Sequence, residues 1–164
     1  MHASLPDANA LIAQLADAIA PTLNPDTLIV GIHTGGVWVA ERLHSLLHAR
    51  HPIGQLDISF YRDDFSRIGL HPQVKPSALP FDLEGRDILL VDDVLHTGRT
   101  IRAAMNELFD YGRPASIKLA VLVDRGGREL PIRPDFAGLV IDVPTHQNIN
   151  LSRLDDGHLT LSLA

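Results

Sequence analysis

Residues 88–100 of this 164-residue chain carry the side chains best suited to chemistry. The apolar run Ile88-Leu89-Leu90-Val91 has the composition of a buried strand and delivers two adjacent carboxylates, Asp92 and Asp93, to its carboxyl end. Val94, Leu95 and His96 follow, then Thr97, Gly98, Arg99 and Thr100, where a helix is expected to open. A helix N-terminus presents unpaired backbone N–H groups and partial positive charge. Thr97 and Thr100 add hydroxyl donors, and Gly98 lets the backbone come close to an anion. Such a strand–loop–helix unit is a cradle for a monophosphate. The two carboxylates repel each other unless sugar hydroxyls or a hydrated Mg²⁺ lie between them and the ligand. A ribose 5-phosphate, carrying both a phosphate and hydroxyls, answers to both halves.

An acidic pair after a buried strand also occurs in two-component receiver domains, but there it comes early and four more βα units follow. Here the remainder after Asp93 is short and β-rich. A simple helix cap is the plainer alternative, but it needs one Ser, Thr or Asp, not a run of six polar or small residues.

The elements that must position this segment can be read from periodicity. Residues 8–20 spell an amphipathic helix, with Leu11, Ile12, Leu15 and Ile19 on one face, Asp7 as its N-cap and Pro21 as its stop. Residues 28–32 form a short buried strand, and His33-Thr34-Gly35-Gly36 a turn. A helix is expected from Val37 to about His48. Alternation of Leu56, Ile58 and Phe60 with polar neighbours predicts a further strand. Residues 62–85 show no period and contain three prolines and two glycines. A loop of that length in a compact domain serves function or is disordered. After the strand at 88–91, residues 92–98 are expected to be loop and 100–109 helix. Strands follow at 117–123 and 139–143, with a polar turn at 124–129 after the first of them. Residues 151–163 make a hairpin turning at Asp156-Gly157. This alternation predicts a single α/β domain, residues 1–164, with a central, mostly parallel sheet flanked by helices. Ligands of such sheets sit at the carboxyl ends of the strands.

Composition narrows the function. No apolar run approaches the roughly 20 residues of a membrane helix, no basic-then-apolar leader opens the chain, and there is no cysteine. A cytoplasmic protein without thiol chemistry or disulfides is expected. The formal net charge is −6, which argues against a broad nucleic-acid footprint. The first Lys or Arg is Arg42, and the only lysines are Lys75 and Lys118. His44 and His48 could share a metal on one helix face, but no third ligand is evident, and a solvated face accounts for them better.

The segment Val91-Asp92-Asp93-Val94-Leu95-His96-Thr97-Gly98-Arg99-Thr100 resembles the phosphoribosyl-diphosphate (PRPP) motif of type I phosphoribosyltransferases. Tyr61-Arg62-Asp63-Asp64, Tyr111-Gly112-Arg113-Pro114, residues 119–126 and residues 128–133 are similar, in collinear order, to the pyrimidine operon regulator/uracil phosphoribosyltransferase family. The resemblance implies the type I phosphoribosyltransferase fold, with a mobile hood loop over residues 62–85 and a C-terminal β-hairpin. It implies the reaction uracil plus PRPP to uridine monophosphate (UMP) and diphosphate, with Mg²⁺ entering bound to PRPP rather than held directly by the protein. By position, Asp92 and Asp93 would face the ribose, and Val94 through Thr100 the ribose and 5-phosphate. Thr34, Gly35 and Gly36 would form the diphosphate loop. Arg62 or Lys75 would supply a cation there, or else be solvated charges. Asp124 and Arg125 would border the uracil, unless Arg125 instead pairs with Glu129 in a β-turn. Three slots depart from the family pattern: Gly35 replaces a usual Arg, His96 a frequent Tyr, and Gly127 a common His.

The same family implies homo-oligomers, dimers or tetramers, and a second role: binding leader RNA in response to UMP to attenuate transcription of the pyrimidine operon, with little or no catalysis as the extreme case. The RNA role finds little support in this chain. Its first helix bears Asp7 and Asp17 and no Lys or Arg, and residues 145–150 carry no base beyond His146. The transferase is therefore the leading expectation.

Overall fold

The computed structural model describes residues 4–58 and 77–164. Its centre is a five-stranded sheet of β1 (Leu28–Ile32), β2 (Gly54–Leu56), β3 (Asp87–Leu95), β4 (Ser116–Asp124) and β5 (Phe136–Val140), ordered β2-β1-β3-β4-β5. Every neighbouring pair in it is parallel. Helices α1 (Ala8–Ile19), α2 (Gly35–Leu46) and α3 (Arg99–Tyr111) cover the two faces, and β6 (Ile149–Arg153) and β7 (Leu159–Leu163) form the expected antiparallel hairpin.

Helices on both faces explain why the central strands are apolar without alternation: all of β1 is buried. On one side Leu11, Ile12, Leu15 and Ile19 of α1 and Val39 and Leu43 of α2 pack over Ile29, Leu89, Val91 and Leu122. On the other, Ile101, Ala104 and Leu108 of α3 pack over Val30, Ile88, Leu90 and Val121. Each such Leu or Ile contributes about 1.5–3 kcal/mol on leaving water. The hairpin extends the first layer through Ile149, Leu151 and Leu159, and Arg153 stands 5.0 Å over the Trp38 ring. Asp7 caps α1 as expected, accepting from the Ala10 amide at 3.0 Å, and Pro21 falls in a 3-10 turn that ends it.

Four boundaries differ from the expectations. Strand β3 runs on through Asp92–Leu95, which sequence places in a loop, because Val94 and Leu95 continue to pair with Val123 and Asp124. Helix α2 starts at Gly35 rather than Val37, so both glycines belong to its first turn. Strand β5 lies at Phe136–Val140 rather than 139–143, in register with Ala120–Asp124. Strand β2 ends at Leu56, and residues 59–61 lie outside the described residues.

Candidate active site

The order of the sheet reverses between β1 and β3: from β1 the chain goes outward to β2, then crosses to β3 on the other side. Connections at the carboxyl ends diverge at such a point and leave a crevice there. The end of β1 passes through a cis His33–Thr34 peptide into Thr34, Gly35 and Gly36, and the end of β3 carries Asp92 and Asp93. These two ends touch. A Cβ placed on Gly35 would stand 2.7 Å from Asp93 Cγ, and one on Gly36 would stand 2.7 Å from the Val91 carbonyl oxygen and 3.2 Å from Asp92 Oδ1. At Gly36 the obstacle is backbone, so helix α2 needs glycine there to begin against β3, whereas a side chain at Gly35 would have to displace the Asp93 carboxylate. Thr34 makes no side-chain cap, and its carbonyl accepts from the Val37 and Trp38 amides.

Asp92 is buried, at 5% exposure, and accepts from the Asp93 amide at 2.9 Å. Asp93 is half-buried and accepts from the Val94 amide through Oδ1 at 2.8 Å. Beyond Leu95 the chain turns through His96 and Thr97 to Gly98, the N-cap of α3, which has φ +94° and no side-chain capping bond. Positive φ at a position packed 3.3 Å from Ile132 Cβ explains glycine here. Thr97 Oγ1 accepts from the Arg99 amide at 3.2 Å, which leaves its hydroxyl proton to donate elsewhere. Strand-end carboxylates, a helix mouth without a side-chain cap, and Thr97 and Thr100 beside it thus lie at one end of the sheet. Arg99 is turned to the surface and bonds Glu129 at 2.9 Å. Arg62 and Lys75, the candidate diphosphate cations, lie outside the described residues.

In the turn after β4 the alternative pairing of Arg125 with Glu129 does not form. The Arg125 side chain is only 4% exposed, and its guanidinium donates to the carbonyls of Gln147 (2.8 Å), Pro144 (3.0 Å) and Val143 (3.4 Å). It neither lies open at the sheet edge nor pairs with Glu129; it clamps the segment leading to the C-terminal hairpin. Asp124 is engaged by Arg128, whose Nη2 donates to Oδ1 at 2.8 Å and Oδ2 at 2.7 Å. Arg128 is the residue that spacing alone misses. Asp124–Arg128 and Arg125–Glu129 are both opposite charges four apart, and only the fold chooses between them.

His96 fills the notch left by Gly127, where a Cβ would stand 2.7 Å from the imidazole Cδ2 and Nε2. Burial first, then the positive charges of Arg125 and Arg128, hold its pKa below the ordinary 6.5, with Glu129 opposing them. A histidine with a lowered folded pKa takes up its proton later than in the unfolded chain. Stability is therefore lost as pH falls from about 6.5 towards that lower value, and is untouched above it. Thermal melts between pH 5 and 8 should show a steeper acid-side decline for the native chain than for His96→Gln; parallel curves would refute this.

Comparison with known proteins agrees with the geometry. The phosphoribosyl transferase domain family matches residues 2–151. The chain is 54% identical over 153 residues to the bifunctional protein PyrR of Pseudomonas fluorescens, covering 91% of each chain. It is 62% identical over 122 residues to that of Pseudomonas paraeruginosa, covering 74% of this chain and 72% of the other. In fold it is similar to a hypoxanthine phosphoribosyltransferase from Trypanosoma cruzi, with a TM-score of 0.70 at 21% identity over 96% of this chain and 93% of that one. A purine phosphoribosyltransferase from Pyrococcus horikoshii gives a TM-score of 0.61 at 25% identity over 82% of each. The strand-end acidic pair, the helix mouth after it and these likenesses converge: the chain belongs to the phosphoribosyl transferase domain family and, within it, to the bifunctional PyrR proteins.

Proposed function

We propose that this chain, acting as one domain, is a uracil phosphoribosyltransferase: it moves the ribose 5-phosphate of PRPP onto a ring nitrogen of uracil, giving UMP and diphosphate. The observation that carries this is the meeting of Asp92 and Asp93 with two uncapped helix N-termini at the reversal of the sheet. In the reaction the bond from the ribose C1 to diphosphate breaks, the bond to the uracil nitrogen forms, and that nitrogen gives up its proton. The transition state carries positive charge on the ribose ring, so the protein's contribution is position and field rather than a covalent intermediate. Asp93 supplies a carboxylate beside that charge. Asp92, buried and bonded to the Asp93 amide, fixes its geometry. The amides of residues 96–100 and the Thr97 hydroxyl receive the 5-phosphate, and the amides at Gly35 and Gly36 the diphosphate.

Adjacent carboxylates are the hard oxygen donors that suit ribose hydroxyls and the water shell of Mg²⁺. The ion, arriving with PRPP, would neutralise charge on the leaving diphosphate. The assay is radiolabelled uracil with PRPP and Mg²⁺. Appearance of UMP is expected, and its absence would end the proposal.

The relatives' name declares two functions. For the second we propose regulation of pyrimidine genes. Direct RNA contact has weak support here, since α1 offers Asp17 and no Lys or Arg. Retention of a pyrimidine leader RNA on filters at low salt, lost at high salt, would establish RNA contact.

A further inference from the structure

The turn after β4 grips the backbone of the phosphate loop from behind. The Leu95 carbonyl accepts from the Arg125 amide at 3.0 Å. The Thr97 carbonyl accepts from the amides of Glu129 at 2.9 Å and Leu130 at 3.1 Å. Between them the His96 carbonyl accepts from Arg128 Nη1 at 2.8 Å. Three successive carbonyls are thus fixed on one side of the loop. In a trans peptide unit a carbonyl and the following N–H project in opposite directions. Anchoring the carbonyls of 95, 96 and 97 therefore turns the amides of 96, 97 and 98 away from that anchorage, where they can serve as donors to an anion.

Arg128 is the side-chain member of this anchorage, and the same guanidinium grips both Asp124 oxygens. Its fork is largely sequestered, with side-chain exposures of 24% for Arg128 and 12% for Asp124, so these bonds escape most of the screening that weakens surface pairs. One guanidinium joins the turn after β4 to the first residue of the proposed phosphate loop.

We propose that Arg128 is a positioning residue for the 5-phosphate: it holds the His96 peptide so that the loop amides are aimed before ligand arrives. This rests on the assignment of residues 96–100 as the phosphate loop. The guanidinium donates to Asp124 and to the His96 carbonyl and acts through the loop, so its loss should weaken binding of every ligand bearing a 5-phosphate and spare uracil.

The test compares native protein, Arg128→Gln and Arg128→Lys in steady-state kinetics, in UMP titration by calorimetry and in thermal melts. Arg128→Gln should raise the KM for PRPP and the Kd for UMP by about tenfold, the weight of one charge-assisted hydrogen bond. The KM for uracil and kcat should change by less than about threefold, within the weight of a neutral hydrogen bond. Arg128→Lys should recover part of the loss, because an ammonium can reach Asp124 or the His96 carbonyl but cannot fork across both. If Arg128→Gln does not fold, the lysine variant carries the test, with the same split between PRPP and uracil at smaller amplitude. A PRPP KM and UMP Kd equal to native in either folded variant would overturn the inference alone. A uniform loss in all parameters that tracks the melting temperature would overturn it too. Native protein that neither binds UMP nor forms it would overturn the proposed function, and this inference with it.

Discussion

Asp93→Asn should lower kcat by about 10²–10³-fold, the loss that follows removal of one preorganised charge-stabilising group. The melting temperature should move by no more than about 2 °C, consistent with a ΔΔG of a few tenths of a kcal/mol. The asymmetry comes from the geometry. Asp93 Oδ1 accepts from the Val94 amide, and the amide oxygen of Asn can take over that bond. The side chain is half-buried, nearly the same size after substitution, and pairs with no cation among the described residues. What disappears is the negative charge that the proposed reaction places beside the ribose. Asp92 offers the contrast, since its carboxylate is buried and its backbone is locked into the β3–β4 ladder opposite Val121. Asp92→Asn should therefore disturb folding and turnover together. Steady-state uracil turnover and thermal melts on the two variants separate these outcomes. Equal losses of activity and stability in Asp93→Asn would mark the acidic pair as structural.

The acidic strand end and the helix start after it were legible because both are local: a strand end, a Gly and two hydroxyls within ten residues. The parallel sheet was legible because runs such as residues 119–123 can be buried only in a sheet covered on both faces. What stayed hidden depends on pairing across the fold. Asp92 and Asp93 have poor strand propensity, so sequence ends β3 at Val91. The register with β4 overrides that preference. Residues 141–143 look strand-like, yet Arg125 takes the Val143 carbonyl, and the edge strand lies a few residues earlier. The same holds for Arg125, because nothing in the six-residue turn 124–129 says which guanidinium will find buried carbonyls. The Gly35 slot shows the same limit. Beside the family pattern it is a lost cation, whereas in the fold it is the space that Asp93 occupies.

That difference yields the second large effect. A methyl group at position 35 would have to push the Asp93 carboxylate aside, since Asp93 Cγ stands 2.7 Å from where the Cβ must go. The carboxylate is the free end of a side chain and can rotate away, so the fold survives. Rotation, however, breaks its bond to the Val94 amide and moves the charge away from where the proposed reaction needs it. Gly35→Ala should therefore cut kcat by about 10²-fold, the size of effect expected when a reacting-site group shifts by about 1 Å. Gly35→Arg restores the cation usual in the family, and on charge alone it should tighten PRPP. Here it should lower kcat as well, because any Cβ displaces Asp93 before the guanidinium reaches diphosphate. The two residues should also be coupled. In Gly35→Ala/Asp93→Asn the losses should fall well short of the product of the single losses, because the second change removes what the first has already misplaced. Fully multiplicative losses in that cycle, or a Gly35→Arg variant with improved PRPP KM and native kcat, would show that Asp93 works from somewhere other than the notch at Gly35.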